Sequence, residues 1–138
     1  MNSTVTDAAA ACAEEIVSLH QVFEAVLGAL GKDDDGRFAA AFAPGFAMVM
    51  PNGRKLDRAE VLAFLAEAHG IRGPGFRIAI EDIEVLHAAP PLMLMHYVER
   101  QWLHGYETAR RAAALFRIEP EGPRWVFVQE TWVTPPPA

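Results

Sequence analysis

Imidazole exchanges protons around neutral pH, so His96, in the run Leu92 to Leu103, is the first side chain to suggest chemistry. In the preceding run Phe76, Ile78 and Ile80 alternate in one phase and Ile83 and Val85 in the other. That change of phase marks a β-bulge around Asp82 and Glu84, and it turns one acid out of the regular alternation. An acid meeting His96 across a hairpin would pair a base with its orienting partner, which makes His96, Asp82 and Glu84 the catalytic candidates. Gln129 and Thr131 are neutral and can orient a ligand or hold a water, but they cannot act as acid or base. Arg100 as a rim charge, Ala112 and Ala114 as short side chains leaving space, and Phe127 as an apolar wall complete the ligand-binding candidates. The bland alternatives are a core histidine bonded to a carbonyl, acids facing solvent, and polar strand residues that tie sheet to helix.

Other chemistries find little support. His96 and His104 lie eight residues apart on one strand, about 26 Å at roughly 3.3 Å per residue, and cannot share an ion. His20 and His69 fall on different helices, and the single cysteine, Cys12, provides neither a disulfide nor a thiolate zinc site, so no metal is expected. The aspartates Asp33, Asp34 and Asp35 lack the alternation and the distant glutamate of a calcium loop. No glycine-rich turn offers a phosphate cradle, and no cofactor is called for. With 12 Lys+Arg against 18 Asp+Glu the formal net charge is −6, and the chain has no broad cationic surface for nucleic acid. Trp102, Trp125 and Trp132 therefore read as core or interface residues rather than a base-stacking platform. The apolar stretch before Glu14 and Glu15 lacks a basic flank, so neither a signal peptide nor a membrane span is expected, and a reducing cytoplasm fits the lone thiol.

The elements that must position these residues follow from periodicity. Ile16, Leu19, Phe23, Val26, Leu27 and Leu30 recur every three or four residues in a long amphipathic helix that Gly31 would close. Asp35 is placed to cap a short helix carrying Phe38 and Phe42, and Pro44 and Gly45 break it. Phe46 to Met50 reads as a strand returning through the turn Pro51-Asn52-Gly53, and Asp57 with Glu60 is a capping box for a helix burying Val61, Leu62, Phe64 and Leu65. Then come four long strands: Phe76 to Leu86, Leu92 to Leu103, Thr108 to Ile118 and Trp125 to Val133. Their simplest arrangement is an antiparallel meander. With 138 residues, 51% of them hydrophobic, a single α+β pocket domain over residues 1–134 is expected, followed by a disordered proline-rich tail at 135–138.

Turns centred on Gly105 and on Glu121 and Gly122 place His96, Ala114 and Gln129 in one cross-strand row and Val98, Ala112 and Thr131 in the next. That face would be concave, with Leu92, Leu94, Phe116, Ile118, Trp125 and Phe127 as floor and Arg100 and Arg110 as rim. The opposite face would carry Met93, Met95, Tyr97, Glu99, Ala113, Leu115, Val126, Val128, Glu130 and Trp132. So many apolar residues facing outward would make a homodimer interface.

The helix followed by Phe46 to Met50 and Pro51-Asn52-Gly53 is one part of a wider resemblance, and the strand from Arg110 to Arg117 is another. Above all the closing segment Trp125-Val126-Phe127-Val128-Gln129-Glu130-Thr131 resembles the last strand of the nuclear-transport-factor-2-like superfamily, in its small bacterial branch of unknown function. SnoaL-like and ketosteroid-isomerase-like proteins belong to that superfamily. The resemblance implies a cystatin-like, cone-shaped α+β barrel in which a curved, mostly antiparallel sheet wraps around N-terminal helices. It also implies a pocket bounded by helices and sheet, and frequent dimerisation. The residues depart from the isomerase pattern, since Met48, Val49 and Met50 stand where an acid is wanted and Tyr97 reads as outward facing. For the Asp–Arg–Asp set of the epoxide hydrolases only Arg100 and Asp82 are at hand. Fold alone does not decide activity. The expectation is a protein binding a small, largely apolar metabolite, with isomerase or dehydratase-like proton transfer as its activity; the alternative is a non-catalytic dimeric association or ligand-sensing module.

Overall fold

The computed structural model describes residues 3–28 and 36–138. Helix α1 (Ser3–Leu27) buries Ala8, Cys12, Ile16, Leu19, Val26 and Leu27, a stripe at helical spacing that begins earlier than the large side chains suggest. Leu30, the stop at Gly31, and Asp33, Asp34 and Asp35 lie outside the described residues. Helix α2 (Arg37–Ala41) has Gly36 as its N-cap, at a φ of 80° that suits glycine. The chain turns directly from α2 into strand β1 (Phe42–Val49), so Phe42 opens a strand rather than lying in a helix, and Pro44 and Gly45 are inside that strand. They sit where the pairing register shifts between Phe42 and Ala47, a break in the ladder that accommodates a residue without an N–H.

The turn at Pro51 to Gly53 joins β1 to β2 (Lys55–Asp57), with Ala47 opposite Asp57 and Val49 opposite Lys55. Helix α3 (Arg58–Ala66) starts in the expected capping box: Glu60 N–H donates to Asp57 Oδ1 at 2.8 Å, and Asp57 N–H donates to Glu60 Oε1 at 3.0 Å. Val61 and Leu65 are buried, whereas Phe64 is 51% exposed, so the expected apolar stripe is narrower than its composition.

Four long strands follow: β3 (Arg77–Ala89), β4 (Leu92–Leu103), β5 (Tyr106–Glu119) and β6 (Gly122–Thr134). They form the antiparallel meander, and β1 joins its last strand in parallel, giving one open six-stranded sheet of order β2-β1-β6-β5-β4-β3. The α+β cone expected from the sequence is therefore present, with the sheet curved rather than closed. The Glu24 side chain of α1 is tied to the sheet at its edge, where the main-chain N–H of Ile78 donates to Glu24 Oε2 at 2.8 Å. Side chains from all three helices enter the same core, with Phe38 of α2 and Val61 and Leu65 of α3 joining Ile16 and Leu19 of α1 against Met95, Tyr97, Phe116 and Trp125.

The faces of that sheet differ from the sequence reading. Strands β4 and β5 meet in a two-residue turn at His104 and Gly105, with φ 50° and 81°, and not in a turn centred on Gly105 alone. His96 therefore pairs with Ala113 and not Ala114. In β6 the ladder shifts between Phe116 opposite Trp125 and Leu115 opposite Phe127, leaving Val126 as an extra residue that reverses the alternation beyond it. As side chains alternate with period two, each one-residue slip exchanges the faces. Met93, Met95, Tyr97, Glu99, Val128 and Glu130 turn inward and are buried, while His96, Phe127, Gln129 and Thr131 lie on the outer face.

A hollow on the outer sheet face and a charged cluster beneath α1

The register brings most of the sequence candidates together, on the side of the sheet away from the helices. His96, Ala113 and Gln129 form one row across β4, β5 and β6, and they border a hollow of about 310 Å³. Leu94, Ala112, Ala113 and Phe127 supply its apolar lining, and His96, Arg111, Gln129 and Thr131 its polar groups. Arg111 Nη1 is 3.4 Å from His96 Nε2, a contact in which the guanidinium donates and the imidazole accepts. That leaves the proton on Nδ1, 3.3 Å from Glu84 Oε1 but not aligned with it for a hydrogen bond. Glu84 is opposite His96 because the expected bulge is present between Glu81 and Glu84.

Four candidates do not line this hollow; Glu84 adjoins it only through His96, and the other three stand apart. Asp82 is the bulge residue itself, at φ 54°, and Glu84 rather than Asp82 is in register with His96. Arg100 is engaged with Glu81 at 2.7 Å and Glu107 at 3.0 Å. Ala114 faces inward between Met95 and Val128. The space that Ala112 and Ala114 leave inside is taken by rings: His20 contacts Tyr97 and Trp125 at centroid distances of 5.4 and 6.1 Å, and Phe116 contacts Trp125 at 4.5 Å. The alanines make room for aromatic packing, and the expected concave hollow beside them is occupied by these rings.

A second group of polar residues lies in that interior. His20 on α1 donates Nδ1–H to the carbonyl of Ile16 at 2.7 Å, and its Nε2 is 3.1 Å from Glu99 Oε1 on β4. Gln101 Nε2 donates to the other oxygen of Glu99 at 2.6 Å. Arg110 on β5 donates from Nη1 to Glu130 Oε1 on β6 at 3.2 Å, and its guanidinium lies 4.8 Å from the centroid of the Trp132 ring. Burial works against ionisation of Glu99, but His20, Arg110 and the Gln101 hydrogen bond outweigh it and bring its pKa down to about 2. Glu130 goes the other way: burial, then the charge of Glu99, push it up to about 7 against the pull of Arg110. Burial also disfavours a charged His20, yet Glu99 and the Ile16 carbonyl leave its pKa above the ordinary imidazole value. Burial, with the two carboxylates, raises the Tyr97 hydroxyl well above its usual range.

Tyr97, Glu99, Glu130 and Trp132 share one face, as strand alternation implies, but that face is the inner one and Arg110 lies on it with them rather than opposite. A signal for the cluster was present in the chain. Glu99, Glu130 and His20 each interrupt an apolar period, and a charge on a buried stripe must find a partner. Among the described residues, no three His, Cys, Asp or Glu side chains form a metal-holding group.

Comparison with known proteins bears on the fold. No family model and no curated protein matches the chain. Solved structures do, and through them the chain has the nuclear-transport-factor-2-like, cystatin-like fold that its closing strand resembles. One match is an NTF2-like protein of unknown function from Pseudomonas aeruginosa, 28% identical, with a TM-score of 0.81 over 88% of this chain and 98% of that one. Another, from Parabacteroides distasonis, is provisionally described as a ketosteroid isomerase; it is 14% identical, with a TM-score of 0.61 over 87% of this chain and 86% of that one. A third, from Thiobacillus denitrificans, is provisionally described as a calcium/calmodulin-dependent protein kinase type II association domain; it is 24% identical, with a TM-score of 0.61 over 83% and 89%. No helix among the described residues is long and apolar enough to cross a membrane.

Proposed function

We propose that the chain binds a small, largely apolar metabolite in the outer hollow, without a cofactor, and that His96 with Glu84 serves an isomerase or dehydratase-like proton transfer there. The observation that carries this reading is the hollow itself. About 310 Å³ is at the lower end of small-molecule sites, and an apolar lining with four polar groups fits a ligand bearing one or two hydrogen-bonding groups. Arg111 has no carboxylate partner among the described residues, so its charge is free to stabilise an oxyanion as a proton leaves carbon. Gln129 and Thr131 would orient the ligand. A cytoplasmic setting accords with the single, buried thiol of Cys12, which burial and Glu15 push up to about 12 and keep unreactive.

The test is a thermal-shift screen against small ketones, alcohols and carboxylic acids, followed by deuterium exchange into any ligand found. A compound that raises the melting temperature should lose its effect in Gln129→Leu, and its exchange in heavy water should be lost in His96→Ala. Binding that survives Gln129→Leu and Phe127→Arg together excludes the hollow.

A second reading has its own observation. All described helices pack on the inner face, while Leu94, Leu115 and Phe127 are half-buried and Val98 is buried on the outer one. This is an apolar face suited to a homodimer, made of different residues from the Met93, Met95, Val126, Val128 and Trp132 set of the sequence reading. In this reading the chain is a non-catalytic association module and a second copy fills the hollow.

A further inference from the structure

Both ring nitrogens of His20 are committed to acceptors. A backbone carbonyl cannot donate, so the Ile16 contact at 2.7 Å requires a proton on Nδ1. An ionised carboxylate cannot donate either, so the Glu99 contact at 3.1 Å requires a proton on Nε2. With Glu99 ionised, as its neighbours favour, the two together require imidazolium, in a residue only 5% exposed. The cation is the polar link between the middle of α1 and the centre of β4. We infer that His20 is a proton-operated latch: α1 is fastened over the inner sheet face while the ring is doubly protonated and is loosened when it loses one proton.

The groups around the ring agree on the direction. From β4 it meets the Glu99 carboxylate and the Tyr97 ring, from β6 the charge of Glu130 and the Trp125 ring, and on α1 the Ile16 carbonyl and Phe23. Arg110 of β5 faces the same two carboxylates. Taking one proton from His20 leaves ionised Glu99 opposite a lone pair between two buried side chains, a cost that falls on the α1 contact. The folded-state pKa is raised above the unfolded one. The contribution of His20 to stability is therefore complete below the ordinary imidazole pKa and is lost as pH rises through the folded value. Release would uncover Tyr97, Trp125, the Arg110 guanidinium and the Glu130 carboxyl it donates to, none of which lines the outer hollow, so the latch controls access to a separate interior.

Two measurements on the full chain test this. Nitrogen-15 shifts of the His20 ring should show both nitrogens protonated at pH 6 and one released only above the pH at which an ordinary imidazole gives up its proton; a neutral ring at pH 6 overturns the proposal. Amide hydrogen exchange, corrected for intrinsic rates, should show α1 opening about tenfold more often at pH 9 than at pH 6 relative to β4 and β5. A ratio independent of pH overturns it as well. Glu130→Gln should retain the His20-dependent part of that change, whereas His20→Gln should abolish it. A His20→Gln chain that keeps the full dependence counts against the latch; if that variant does not fold, the ring shifts and wild-type exchange decide.

Discussion

At the scale of single residues, two glutamates on β4 and β6, with β5 between them, are shifted in opposite directions from the ordinary carboxylate value. Glu99 is charged because a cation and two donors meet it, and Glu130 is held near neutrality because it is buried beside Glu99 with Arg110 as its main offset. The consequences for stability have opposite signs. Glu99, depressed to about 2, stabilises the fold above the unfolded carboxylate pKa, and that contribution disappears as pH falls toward 2. Glu130, raised to about 7, favours the fold at acid pH, and its contribution is lost as pH rises from the unfolded carboxylate value through 7. Glu130→Gln keeps an oxygen for Arg110 and cannot ionise. Chemical denaturation should find it close to wild type at pH 5 and more stable at pH 8, by up to roughly 3 kcal/mol. Equal stabilities at pH 8 would show that Glu130 is already ionised at little cost. These residues were visible in the sequence as charges in apolar runs, but their pairing depended on which side of the sheet they face. Alternation alone is symmetric between the two sides.

Elements differ in how far local sequence determines them. Helix α3 begins where its capping box says, since Asp57 and Glu60 satisfy each other's backbone N–H without help from the rest of the fold. Asp57→Ala should therefore cost about 1 kcal/mol in thermal or urea unfolding, with the sheet intact. The β4–β5 turn is equally local. His104 and Gly105 both take positive φ, and Gly105→Ala should destabilise the hairpin because an L side chain resists φ 81° even where there is open space around it. A difference below a few tenths of a kcal/mol in the melting curve would count against strain there. Strand β1 is the contrasting case. Phe42 reads as helical and Pro44 and Gly45 as a break, yet all three are in a strand because parallel pairing with β6, a contact some 80 residues away in the chain, supplies its partners. The bulge at Val126 likewise follows from packing Trp125 inward, where its Nε1–H donates to Glu15 Oε2 at 2.9 Å, while Phe127 stays on the other face.

For the whole molecule, the unpaired outer face governs the choice between the two readings of function. Sedimentation equilibrium on the purified chain should give twice the chain mass if that face joins two copies, and Phe127→Arg should then return the monomer. A monomer in wild type at micromolar concentration leaves the hollow open to a ligand and removes the association reading. The order of helices and strands, the meander and the α+β class were legible in the chain, since periodicity, turn residues and caps act over a few residues each. The bulge was legible too, as a change of phase, but the phase alone did not decide whether Asp82 or Glu84 stands opposite His96. What only the tertiary structure decided is which face of the sheet the helices cover. A slip of one residue at a turn, or one extra residue in a strand, reverses every side chain beyond it, and the choice is made by where α1 can bury Ile16, Leu19 and His20 against Tyr97 and Trp125.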